Sequence, residues 1–173
     1  MSLSEILRQD AAATYRAAEG LFRRVEELSW KPATGHNWMS TGQLLKHCTE
    51  ACGANLRGFL TGDWGEYGEA LEEAGGELEL PTAETLPSVA SVDEALGLLA
   101  ADRALTMELL GSVDDDRFVN ERSAAPWGGE ERALVQHCYE CVWHLGQHKG
   151  QLFYYLKLQG QDVNTMDLWM GGE

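Results

Sequence analysis

Five histidines and four cysteines hold most of the chain's capacity for metal chemistry. His144 and His148 stand four residues apart in a helical pattern. That spacing puts two imidazoles on one face, one turn apart, where they can chelate one ion. Stepping back along the same face by three and four adds Cys141 and His137. All four cannot serve one ion, because His137 and His148 are separated by roughly 16 Å of helix axis. Two windows follow. One joins His144 and His148 to His47; the other joins His137 and Cys141 to Cys48 or Cys52. Around His47, steps of three and four reach Gln43, Leu44, Ala51, Ala54, Asn55 and Gly58. Small and polar residues there leave room beside an imidazole, whereas a plain core stripe would carry Leu or Ile. The same pattern also suits a close helix–helix contact with His47 hydrogen-bonded inside it, so spacing alone leaves both windows open.

Cys138-x-x-Cys141 has the spelling of a redox pair or half a zinc knuckle. A redox pair normally follows a strand and opens a helix. This one sits inside a long helical pattern, and free cysteine is among the most buried residue types. The four cysteines are therefore expected to be reduced core thiols.

Four helical segments must position these groups. The first spans about Ser4 to Leu28, with Leu7, Ala11, Tyr15, Ala18, Phe22 and Val25 forming one apolar face. Lys31-Pro32 and Gly35 end it. The second opens at a capping box, Ser40-Thr41-Gly42-Gln43, and is expected to run to about Leu60. A connection from Thr61 to Ala90 follows, rich in Gly and Glu, with a short helix expected over Glu66 to Ala74. Its length suits a crossover that covers one end of a bundle. The third segment opens at a second capping box, Ser91 to Glu94, continues through Leu96, Leu99, Arg103, Met107 and Leu110, and is expected to end near Gly111. Asp114-Asp115-Asp116 reads as a solvated turn, lacking the alternation and glycine of a calcium loop. Pro126-Trp127-Gly128-Gly129 precedes the fourth segment, Glu131 to Gln159, with no strand expected between the third and fourth. A tail from Gly160 carries Leu168, Trp169 and Met170, expected to fold back over the bundle or to form a subunit contact.

Length and composition fit one domain over residues 1–173, with 44% hydrophobic residues to fill one core. No run approaches a membrane span and the first ten residues lack a signal-peptide core, so a cytoplasmic protein is expected. The formal charge of −15 repels phosphate backbones and anionic headgroups, arguing against nucleic acid and membrane partners. A small-molecule substrate or a cation is easier to admit.

Several stretches together resemble the DinB/YfiT-like superfamily of four-helix bundles: Asn37-Trp38-Met39-Ser40, Leu44-Leu45-Lys46-His47, Pro126-Trp127-Gly128, and above all His144-Leu145-Gly146-Gln147-His148-Lys149-Gly150-Gln151-Leu152. The last is similar to the family's HxxxHRGQ, with Lys149 where arginine is usual; the tail lacks the proline-rich ending of many members. The resemblance implies an all-α, up-down-down-up bundle with the long crossover between helices two and three. It also implies one divalent transition metal, zinc or nickel, held by His47, His144 and His148. Relatives include transferases that use a low-molecular-weight thiol, so it implies a metal-dependent S-transferase or a related hydrolase or isomerase. The alternative is a non-catalytic metal- or ligand-binding stress-response protein. Glu140, one turn before His144, is a candidate to orient a ligand histidine or accept a proton, and Gln147 and Gln151 are candidate hydrogen-bond donors around the ligands. Tyr15, Trp38, Trp127 and Trp143 are candidate pocket walls without an assigned role. A homodimer through the apolar tail is a further expectation.

Overall fold

The computed structural model describes residues 1–75 and 81–172. Gly76, in the crossover, and Glu173, at the end of the tail, lie outside the described residues. Among the described residues the chain is mainly helical, and no helix is long and apolar enough to cross a membrane.

Helix starts follow the local chemistry. Ser2 accepts from Glu5 N and the Glu5 carboxylate accepts from Ser2 N, so α1 begins at Leu3 and runs to Phe22. It stops six residues short of the expected Leu28, because Arg24 N and Val25 N bond back only three residues, to Leu21 O and Phe22 O. Ser40 and Gln43 form the expected capping box at the start of α2, Thr41–Cys48. The second expected helix is then broken: four turn residues, 49–52, precede α3, Gly53–Thr61. In the crossover, α4 spans Gly65–Glu73, close to expectation, and a single 3-10 turn spans Ala83–Thr85. Ser91 accepts from Glu94 N and opens α5, Val92–Gly111.

Between α5 and the last long helix the structure corrects two expectations. Asp114 to Asp116 is not a bare turn. Asp114 accepts from Arg117 N and caps α6, Asp115–Asn120, while Asp115 accepts from Leu3 N at the start of α1. A small antiparallel pair also intervenes, β1 (Arg122–Ser123) with β2 (Arg132–Ala133), Arg122 standing opposite Ala133. The loop between them turns through Gly128 and Gly129 at φ of 96° and 112°, values that favour glycine. Because residues 132 and 133 are drawn into this pair, α7 begins at Leu134 and not Glu131, running to Leu158. The tail folds back as α8, Thr165–Met170, against α1 and α7. Arg24 pairs with Asp167 at 2.8 Å, and Lys149 Nζ donates to Leu168 O at 2.6 Å.

Contacts give the helix directions. Ser4 meets Leu110, and Tyr15 meets Asp102, so α1 and α5 are antiparallel. Gly42 meets Val89 and Leu60 meets Arg117, so α2 and α3 run parallel to α5. His47 meets His148 and Phe59 stacks on His137, so α7 opposes α2 and α3. The result is an up-down-down-up bundle in which α2 and α3 together form the second member. Its apolar core runs through all four members. On α5, Ala95, Leu99, Asp102, Thr106 and Leu110 are buried, Leu96 and Met107 are partly buried against the core, and Arg103 is exposed. The helix is apolar on several sides, so periodicity did not select a face; Tyr15, whose hydroxyl bonds Asp102 and Thr106, did.

Candidate metal centre

His47 comes from the last turn of α2, and His144 and His148 from successive turns of α7. The antiparallel packing brings the three rings together, with His47 Nε2 3.2 Å from His144 Nε2 and 3.0 Å from His148 Nε2. Among the described residues this is the one group of three or more His, Cys, Asp or Glu side chains close enough to hold a metal ion. Spacing left two windows open; only the first is assembled.

The opposite side of each α7 ring is anchored. His144 Nδ1 faces Ala51 O at 3.2 Å, and His148 Nδ1 faces Gln151 Oε1 at 3.0 Å. Gln151 Nε2 donates to Tyr155 OH, which donates to Met39 O. Both acceptors require the proton on Nδ1, which leaves the two Nε2 atoms as bare lone pairs. His47 Nε2 carries at most one proton and can satisfy only one of them. The other lone-pair contact is repulsive unless a cation lies between. Ligand bonds of about 2.0–2.1 Å at a tetrahedral angle put nitrogens about 3.3 Å apart, near the observed separations. The residues therefore fit a divalent ion. Burial, then the neighbouring rings of His148 and His144, push the His47 pKa down to about 4. Burial also lowers His144 and His148. All three are neutral at pH 7, the form that ligates.

His137 and the cysteines are used elsewhere. The His137 ring is buried, stacks on Phe59 at 4.1 Å between centroids, and has Nε2 2.9 Å from Ser123 O. Cys48, Cys52, Cys138 and Cys141 are buried free thiols, as expected. Burial pushes Cys52 and Cys138 up to about 12, and raises Cys48 and Cys141 well above the ordinary thiol value. Such thiols stay protonated and unreactive.

The triad borders a cleft of about 1570 Å³, reached by His47 and His144. Trp127 and Trp143 line it, together with Phe59, Trp64 and Tyr67. Trp64 comes from the crossover and lies against Gly58, where an added Cβ would sit 2.2 Å from its ring. The space left at Gly58 thus admits an indole from the crossover and not an imidazole. Glu140 and Gln147 also line the cleft. Arg132 Nη1 donates to the Glu140 carboxylate at 2.6 Å, so Glu140 meets no ring nitrogen of the triad. Gln151 does. Trp38 packs edge-on against Tyr155, and Tyr15 lies in the core between α1 and α5. Sequence reasoning missed Ala51 O, Tyr155 and Met39 O. Two of these are carbonyls, which carry no residue-type signal; Tyr155, four residues after Gln151, could have been found from helical spacing.

Residues 6–152 match the family model of the DinB superfamily, and the chain belongs to that family. No curated protein and no solved structure matches it significantly.

Proposed function

We propose that this bundle, as a single cytoplasmic domain, binds one zinc or nickel ion through His47, His144 and His148. We propose further that it is a metal-dependent enzyme acting on a small molecule. S-transfer from a low-molecular-weight thiol to an electrophile is the leading reaction, with related hydrolysis or isomerisation next. The observation that carries this reading is the convergence of three neutral Nε2 atoms beside an open cleft. Three protein ligands are the mark of a site that keeps a position for water or substrate; structural zinc sites usually have four. When bound, the ion supplies Lewis acidity, lowering the pKa of a thiol or water in the open position.

The chain's own residues supply the rest. Ala51 O and Gln151 fix the two α7 rings in the ligating tautomer. Aromatic side chains on the cleft wall offer apolar area to an electrophile's body. Glu140 is the proposed proton acceptor: it lines the cleft one turn from His144, steadied by Arg132.

The test is elemental analysis of protein purified without a metal-affinity column, followed by thiol-transfer assays against a panel of electrophiles. The expected result is about one zinc or nickel per chain, and turnover that chelation abolishes and the metal restores. Stoichiometric metal with no turnover of any thiol would favour the non-catalytic binding role. No metal would end the reading. We also propose a homodimer, which sedimentation at micromolar concentration checks.

A further inference from the structure

The break that splits the second bundle member lies against a buried carboxylate on a different helix. No side chain within the turn caps α3: its N-cap, Cys52, makes no such bond. Instead the backbone N–H groups of Gly53 and Ala54 stabilise the carboxylate of Asp102, on α5. The approach is close, since a Cβ added at Gly53 would lie 2.4 Å from Asp102 Oδ1 and 2.9 Å from the Asp102 carbonyl oxygen. Asp102 is 7% exposed, and its other oxygen accepts from Tyr15 OH. Two residues before Gly53, the Ala51 carbonyl accepts from side chains, Asn55 Nδ2 at 3.0 Å and His144 Nδ1 at 3.2 Å. The first backbone bond from α3 back into the turn is Leu56 N to Cys52 O. In an unbroken helix Ala51 O would instead accept from the backbone N–H of Asn55, four residues on.

We propose that Asp102 is a positioning residue for the histidine triad: by holding the N-terminus of α3 it keeps the chain broken at residues 49–52, which turns the Ala51 carbonyl toward His144 Nδ1. The carboxylate reaches the site only through backbone. It lies against the helix start, whose N–H groups have no partner within the helix; the turn before them is fixed, and the carbonyl in that turn fixes one ring. Burial of a carboxyl is costly unless its oxygens are partnered. Here Tyr15 OH donates to one oxygen and the start of α3 lies against the other, and the result is the tautomer and orientation of His144.

The inference rests on metal binding by the triad, and cobalt(II) titration separates the two. Metal-free protein is titrated against a competing chelator, with the visible absorption of bound cobalt and circular dichroism recorded alongside. Wild type is expected to take up one cobalt per chain; if it takes up none, the metal reading falls and this inference with it. Asp102→Ala is expected to weaken cobalt binding tenfold or more, the range of losses seen when a partner of a ligating histidine is removed, and to change the absorption spectrum. Gly53→Ala, which pushes α3 away from an intact Asp102, should act in the same direction. Asp102→Asn keeps an oxygen acceptor and should bind within about threefold of wild type, so a tenfold loss there would overturn the proposal. Tyr15→Phe touches the carboxylate on the side away from α3 and should lower the melting temperature while leaving cobalt affinity and spectrum unchanged. Wild-type affinity and spectrum in a folded Asp102→Ala or Gly53→Ala, or cobalt losses that simply track melting temperature through Tyr15→Phe, would overturn it.

Discussion

Two regions of the seam between α7 and its antiparallel partner offer the same kinds of side chain and meet different fates. At one end His47, His144 and His148 point their Nε2 atoms at one another. Further along α7, His137 and Cys141 share the same face, yet His137 is spent on a stack with Phe59 and a contact to Ser123 O. Nearby thiols lie in apolar surroundings that hold them protonated. Ligand-type residues at ligand spacing are thus not enough. What separates the regions is the far side of the α7 rings: the Nδ1 atoms of His144 and His148 meet acceptors and leave Nε2 free, whereas at His137 the Nε2 atom is itself engaged.

The sharpest way to break this comparison is to delete ligands. His144→Ala or His148→Ala should abolish stoichiometric metal, measured by elemental analysis, while His137→Ala and Cys141→Ser retain it. Metal lost from either of the latter would mean that the second region ligates after all. Next in size is thiol reactivity. All four cysteines should resist a thiol reagent in the folded protein and react once guanidinium unfolds it; a rapidly labelled native thiol would contradict the buried, protonated state.

Acid should act on the first region selectively. The triad's pKa values lie below the ordinary histidine value, so the folded protein stays unprotonated there after the unfolded chain has begun to take up protons. Between pH 6.5 and about 4 the unfolded state binds more protons, and the stability of the metal-free protein should fall as pH falls through that window. Metal affinity should begin to fail at a lower pH than free imidazole would give, since burial lowers all three ligands. A calorimetric metal titration against pH checks it; loss centred above pH 6.5 would contradict the buried, neutral triad. A smaller effect is expected from Gln151→Leu, which leaves His148 Nδ1 without its acceptor and should weaken metal binding about tenfold. Smallest is the loss of a cap. Ser40→Ala or Ser91→Ala should cost roughly 1 kcal/mol each by denaturant melts; Ser40 starts the helix that carries His47.

What could be read in advance divides along physical lines. The long helices α1, α5 and α7 and the caps at Ser40 and Ser91 were legible because periodicity and capping chemistry are local. The triad was legible for a related reason, since an i, i+4 histidine pair declares itself within one helix and the family resemblance supplied His47. The break at residues 49–52 was not, because the carboxylate packed against the N-terminus of α3, Asp102, is about fifty residues away in sequence. The same holds for α6, whose Asp115 is matched to the N-terminus of α1, and for the β1–β2 pair, two residues on each side with no alternation to detect. The anchors of His144 and His148 were only half visible: Gln151 lies one turn along the helix, whereas a backbone carbonyl leaves no trace in composition.

The separation of the ligands along the chain sets an order of events during synthesis. His47 emerges from the ribosome 97 residues before His144. A nascent chain that ends in the crossover has one imidazole and no partner for it. When α7 emerges, its two histidines could capture an ion alone, but weakly and without selectivity. The full site exists only after a loop of nearly a hundred residues has closed, a step that the packing of the bundle must drive before any ion contributes. On the proposed metal-binding reading, loading follows the closure of the bundle, and parting of the seam between α2 and α7 would scatter the ligands; hydrogen exchange at Leu44, Leu45 and Leu145 would time that opening.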